Sequence, residues 1–292
     1  MRKFILGTDW WTDCDDAVAL RLMTRAHKAN EISLLGIAIN ACMADSVCSL
    51  DGFLSLDGVF DIPLGIDTDA TDFGKKPPYQ ARLAPYATRY KSNAEAEDGV
   101  RLYRRILSES EGGVELIEIG YMQLFAALLM SEPDDLSPLF GIDLVREKVT
   151  RVWAMAGKWD KDGESENNFA RNARSIAGGR VVLECCPVPI TFLGWETGFD
   201  VITGADLPHT DHLWLALSDH GSPSGRSSWD PMLTLMALIG SPEAAGYREV
   251  RGRAKLDEGG RNYFEKDGCG PHSFVVKTKN NAYYEKEIND RL

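Results

Sequence analysis

The sequence predicts an α/β fold: one domain built on a mainly parallel, multi-stranded sheet flanked by helices. Three observations predict it. Apolar runs of strand length alternate with segments of helical spacing along most of the chain. The run Ile32-Ser33-Leu34-Leu35-Gly36-Ile37-Ala38-Ile39 is apolar on both of its alternating faces, which suits a strand covered on either side. Hydrophobic residues make up 44% of the 292 residues, ample for a buried core. Length alone would admit two small domains, but the alternation runs through the chain, and we read residues 1–292 as one domain.

The first elements meet at the most chemically loaded stretch. Phe4-Ile5-Leu6 reads as a short buried strand, and Ala17 to Met23 has helical spacing and good helix formers. Between them lie Asp9, Asp13, Asp15 and Asp16, four carboxylates within eight positions. In an open parallel sheet this strand-to-helix turn falls at the carboxyl ends of the strands, where such folds bind ligands. Capping of free N–H groups and the helix dipole would explain one or two aspartates. Four in one turn repel each other unless a cation neutralises them or some are protonated. With oxygen ligands and no His or Cys correctly spaced beside them, a hard ion such as Ca²⁺ or Mg²⁺ suits the turn better than zinc.

The second strand is followed by a helix through Leu50, Phe53 and Leu54. Asn40 and Asp45 therefore lie at the same sheet edge as the aspartates, which makes Asn40 a candidate substrate contact beside its plainer reading as a turn residue. Asp61 to Ile66 is a third short strand. The segment from Asp67 to Asn93, with Pro77-Pro78 and several aromatics, reads as a long connection. A helix follows over Val100 to Leu107, then a strand from Val114 to Gly120 running into Tyr121 to Leu129, and a strand from Val149 to Gly157. Lys158 to Ser165 is a polar loop before Glu166-Asn167-Asn168-Phe169 and a helix around Asn172 to Ala177. Gly178-Gly179 reads as a turn, and Pro189 to Gly194 as a further strand. Asp211 to His220 is a helix, and Gly221-Ser222-Pro223-Ser224-Gly225 a flexible stretch able to hinge a lid. Asp230 followed by Pro231 is read as N-cap and first residue of a helix running to Ile239. Two or three strands between Arg248 and Val276 and a closing helix from Tyr283 complete the chain.

A formal net charge of −12 argues against a broad nucleic-acid surface, which needs a basic face, and disfavours anionic membranes and polyphosphate substrates unless a local cationic pocket or bound metal overrides it. No stretch approaches the length of a membrane-spanning helix. The six cysteines show neither C-x-x-C pairing nor the density of a secreted disulfide scaffold, so reduced thiols in the cytoplasm are expected, with Cys185-Cys186 in the core. The amino terminus, with a short apolar run leading directly into the aspartates, reads as mature protein.

The pattern Thr8-Asp9-x-x-Thr12-Asp13-x-Asp15-Asp16-Ala17-x-Ala19-Leu20 resembles the amino-terminal signature D-T-D-x-G-T-D-x-D-D-A-x-A-L of the inosine-uridine preferring nucleoside hydrolases. Gly7 stands where that signature has its first Asp, and Trp10-Trp11 where it has a small or apolar residue and Gly. The junction at Tyr121-Met122-Gln123-Leu124 resembles the family's I-G-P-L-T-N segment, Glu166-x-Asn168-Phe169 its E-x-N motif, and Ser228-Trp229-Asp230-Pro231 its S-W-D-P form. The family hydrolyses N-glycosidic bonds of ribonucleosides with bound Ca²⁺. The resemblance therefore implies a nucleoside hydrolase-like fold in which Asp9, Asp16, Asp230 and the Gln123 carbonyl hold Ca²⁺. It gives the ribose to Asp15, Glu166 and Asn168, and implies a homo-oligomer, a dimer or a tetramer. The expected reaction gives free base and ribose, with Asp9 taking the proton of the attacking water. Trp10, Trp11 or Trp229 would stack on the base, and Trp229 stands where many members have a His that serves the leaving group. Asp13 is an added acidic neighbour, and His220 a possible proton donor. Two other readings start from the same residues: a catalytically silent nucleoside- or sugar-binding protein, and a metal-dependent phosphohydrolase.

Overall fold

The computed structural model describes residues 1–11, 13–74 and 78–292. Thr12 of the signature and Pro77 of the Pro77-Pro78 pair lie outside them. Along β1 (Arg2–Thr8) side chains alternate between two apolar cores, Phe4 and Leu6 entering one and Ile5 the other. The strand is buried on both faces for the same reason that its sequence is continuously apolar.

Strand and helix then alternate: α1 (Asp15–Lys28), β2 (Ile32–Ile39), α2 (Ser46–Leu56), β3 (Leu64–Ile66), α3 (Pro78–Leu83), β4 (Glu97–Asp98), α4 (Gly99–Glu109) and β5 (Val114–Glu118). Next come α5 (Gln123–Leu129), α6 (Gly141–Lys148), β6 (Val149–Met155), β7 (Glu164–Ser165), α7 (Asn167–Ala170), α8 (Ala173–Cys185), β8 (Ile190–Leu193) and α9 (Trp195–Gly198). The rest is β9 (Ile202–Thr203), α10 (His212–His220), β10 (Arg226–Ser227), α11 (Trp229–Ile239), β11 (Tyr247–Leu256), β12 (Arg261–Lys266), β13 (His272–Lys277) and α12 (Asn281–Asn289).

Among the described residues eleven strands form one sheet in the order β4-β3-β2-β1-β5-β6-β8-β13-β11-β12-β7. Every pairing from β4 to β13 is parallel, and β13, β11, β12 and β7 pair antiparallel. The winding sense reverses between β2-β1 and β1-β5, so a crevice opens at the carboxyl end of β1, where open α/β sheets take ligands. Helices α1, α2, α10 and α11 pack in one apolar core, and α4, α5, α6 and α8 in the other. Among the described residues no helix is long and apolar enough to cross a membrane.

Three local expectations are corrected. Gly178-Gly179 is not a turn but the middle of α8. A Cβ on Gly178 would stand 2.5 Å from Gln123 Cα, so the glycine is there because α8 meets the start of α5 backbone to backbone. That close approach offsets the roughly 1 kcal/mol that a helical glycine costs relative to alanine. Asp230 is not an N-cap: α11 starts at Trp229, with Ser228 before it, which puts Asp230 in the first turn. Cys185 and Cys186, expected in the core, are only half-buried at the end of α8.

Candidate functional site

A cavity of about 300 Å³ opens at the carboxyl edge of the sheet. Asp9, Ile119, Met155 and Trp195, all on its wall, end β1, β5, β6 and β8 or follow them within two residues. Asp13, Asp15 and Asp16 reach it from the turn into α1, and Asp230 from the first turn of α11. Two helix starts thus bring carboxylates from opposite ends of the sequence to one place.

The turn that presents the aspartates is held by Trp10. Its φ is +48°, a left-handed conformation that costs a bulky side chain about 1–3 kcal/mol. What holds it there is an anchored ring. Trp10 is fully buried, edge-on to Phe53 and Tyr79, with Nε1 donating to Ser49 Oγ at 2.8 Å and its carbonyl accepting from Gln80 Nε2 at 2.8 Å. Its backbone N–H donates to Thr8 Oγ1 at 3.0 Å and to Asp16 Oδ1 at 3.3 Å. The structure therefore puts Trp10, expected to touch substrate, in the core and not on the cavity wall: the left-handed turn swings its ring inward.

Oxygens of Asp15, Asp16 and Asp230 lie within 4.8 Å of one another. Thr8 Oγ1 donates to Asp16 Oδ1, the Asp230 N–H donates to Asp15 Oδ2 at 3.1 Å, and the Trp11 N–H donates to Asp9 Oδ1 at 2.9 Å. Burial pushes all four carboxyls well above the ordinary range. Their mutual repulsion adds to it: Asp9 acts on Asp16, and Asp15, Asp16 and Asp9 all act on Asp230. Buried carboxylates this close, with oxygen as the only donor, fit a hard divalent cation, which would relieve that repulsion.

Asp13 is set apart from this group. Both its oxygens accept from Arg226, Nε donating at 2.7 Å and Nη2 closing the fork. The same guanidinium lies over the Trp229 ring, 5.4 Å from its centroid, and Trp229 Nε1 donates to the Trp195 carbonyl at 2.7 Å. Trp229 remains half-buried on the wall, with the Trp195 ring stacked 6.3 Å from it. His220, outside the residues that line the cavity, comes within 3.9 Å of Asp13 Oδ1. Arg226 tied to the aspartate turn was not legible locally, since 213 residues separate it from Asp13.

Glu166 and Asn168 stand together on the wall at the start of α7. Glu166 accepts from the Gly157 N–H at 2.9 Å and the Asn168 N–H at 2.8 Å; burial outweighs those bonds and pushes its carboxyl up to about 7. The Asn168 amide donates to the Met155 carbonyl at 2.8 Å. Arg171, just past α7, also lines the cavity, over the ring of Trp11. Sequence reasoning missed it, because nothing in its neighbours marks it.

Asn40 and Gln123 sit behind the wall. Asn40 is fully buried; its Oδ1 accepts from the Tyr121 N–H at 3.0 Å, and its carbonyl accepts from Gln123 Nε2 at 2.5 Å. Asn40 Nδ2 and Gln123 Oε1 have no partner among the described residues.

Fold and cavity together define an α/β protein with a buried oxygen-donor cluster at the switch point of its sheet. The fold is that of nucleoside hydrolases. The chain is similar to the inosine-uridine preferring nucleoside hydrolase of Bacillus anthracis, with a TM-score of 0.70 and 13% identity over 100% of both chains. It is similar to the purine-preferring ribonucleoside hydrolase of Gardnerella vaginalis at the same TM-score, 0.70, with 14% identity over 99% of both. The type III effector protein XopQ, solved in complex with adenosine diphosphate ribose, gives 0.70 and 16% identity over 98% of this chain and 92% of that one. No protein-family model and no curated protein sequence matches the chain.

Proposed function

We propose that the chain is a divergent nucleoside hydrolase: a Ca²⁺-dependent enzyme that cleaves the N-glycosidic bond of a ribonucleoside or related ribosyl compound. The observation that carries the reading is the convergence of Asp15, Asp16 and Asp230 within 4.8 Å, beside Asp9, on the switch point of a nucleoside hydrolase fold.

Asp9, Asp16 and Asp230 are the proposed ligands, and the spacing of the cluster adds Asp15 to the same shell of charge; Gln123, whose carbonyl the motif would add as a fourth ligand, does not line the cavity. When bound, the ion supplies a positive charge that acidifies a water and engages sugar hydroxyls. Asp9, oriented by the Trp11 N–H, would take the proton of a water attacking the anomeric carbon. Asp15, Glu166 and Asn168 hold the sugar, and the half-buried face of Trp229 receives the base. Assembly as a dimer or tetramer belongs to the same proposal and is read by sedimentation.

The test is incubation with a panel of nucleosides and ribosyl compounds, with and without chelator, scoring free base and reducing sugar. Chelator-sensitive base release supports the reading. Its absence across the panel favours a silent binding protein, a second reading supported by Gly7 in place of the first signature aspartate and by the ligand of the XopQ complex.

A further inference from the structure

Arg171 is the cation of this cavity that no carboxylate pairs with among the described residues. Arg226 is committed to both oxygens of Asp13. The hydrogen bonds and ring contact of Arg171 go to uncharged groups: Nε and Nη2 donate to the Phe73 carbonyl at 3.2 and 2.7 Å, and the guanidinium lies 5.2 Å from the centroid of the Trp11 ring; its charge also reaches the Asp9 carboxyl, which it favours in the ionised form. Trp11 is itself buried, edge-on to Phe73. One edge and one face of the guanidinium are thereby fixed, Nη1 has no hydrogen bond among the described residues, and the residue lines the cavity. Ordering a long exposed side chain costs rotamer entropy, and here it is ordered against a buried tryptophan and a backbone carbonyl without an ion pair among the described residues.

The placement says where on a ligand the free edge would act. Arg171 directly follows α7, the short helix that begins after Glu166 and contains Asn168. A planar guanidinium with free N–H groups is matched by phosphate oxygens far better than by a neutral hydroxyl. We propose that Arg171 is an anion subsite and that the compound taken by this cavity carries a phosphate ester on its sugar. This rests on the reading of the cavity as a ribosyl site. Pairing of Arg226 with Asp13 removes one negative charge that would oppose such a ligand.

Equilibrium binding of ribose, ribose 5-phosphate and inorganic phosphate to the Ca²⁺-supplemented full chain tests it, in the native protein and in Arg171→Ala and Arg171→Lys. The native chain should bind ribose 5-phosphate at least about tenfold tighter than ribose, the range of one charge-assisted contact. Arg171→Ala should bring the two sugars to equal affinity, and Arg171→Lys should recover part of the difference. Equal affinities in the native chain would overturn the proposal, as would a preference that survives Arg171→Ala or inorganic phosphate matching the sugar phosphate. So would failure of both sugars to bind at about 10 mM. Absence of base release from nucleosides and their 5′-monophosphates, with the sugar-phosphate preference intact, would sink the hydrolase reading and leave the anion subsite standing.

Discussion

Gly7 of β1 pairs with Glu118 of β5 across the parallel ladder, and a Cβ at position 7 would lie 2.0 Å from Glu118 Oε2. The carboxylate cannot swing away to solvent: it is buried and accepts from the Tyr103 hydroxyl at 2.6 Å. Where the family signature has an aspartate, this chain has made room for a carboxyl from the next strand. Gly7→Ala should therefore cost about 1–3 kcal/mol in urea unfolding. In a Glu118→Ala background the cost should shrink, with a coupling above about 0.5 kcal/mol. Additive effects would mean that the two residues do not compete for the space.

The same carboxyl should leave a pH signature. Burial pushes Glu118 from the ordinary 4.5 up to about 8, against the downward pull of the Tyr103 hydrogen bond. The folded chain then holds a proton that the unfolded chain has lost. Its contribution to stability is complete below pH 4.5 and declines as pH rises towards 8, by up to about 1.4 kcal/mol per pH unit. Denaturation curves across that window should show the decline, and Glu118→Gln, which carries no titrating proton, should flatten it.

Removing the metal should be felt as lost stability before it is felt as lost activity. Saturating Ca²⁺ should stabilise the native chain by about 3–4 kcal/mol at a few hundred times the dissociation constant. Asp230→Asn should lower both the metal content by elemental analysis and the shift in Tm. Asp9→Asn should cut turnover at least about a hundredfold with the fold intact. Metal content measured in that variant separates lost proton transfer from lost ligation.

Trp10 and Trp229 should answer the same substitution in opposite ways. Trp10→Ala empties a fully buried site and should cost about 3–5 kcal/mol while leaving KM unchanged in whatever remains folded. Trp229→Ala removes a half-buried wall residue and should raise KM for aromatic-base substrates with a smaller loss of Tm. A rise in KM on truncating Trp10 would contradict the buried ring.

Repeating apolar runs and one dense aspartate turn determined, from sequence, the α/β class, the parallel sheet and the sheet edge that carries the site. These are legible because strand period, burial on both faces and charge crowding are local properties of a segment. Asp230 was found through a short motif, and Glu166 and Asn168 through another, so three further wall residues were visible without coordinates.

Only the tertiary structure decided which neighbours those residues meet. Trp10 and Trp11 read alike in the sequence, yet a left-handed turn sends the Trp10 ring into one core and the Trp11 ring into a separate buried cluster with Phe73 and Tyr121, beneath Arg171. Gly178-Gly179 read as a turn because glycine breaks isolated helices, whereas contact with α5 demands it inside one. The pairs Gly7–Glu118 and Asp13–Arg226 are set by strand order and by the return of β10 to the first turn. Contacts between residues far apart in the chain leave no periodicity for a local pattern to detect, because the physical force that selects them exists only once the sheet has brought them together.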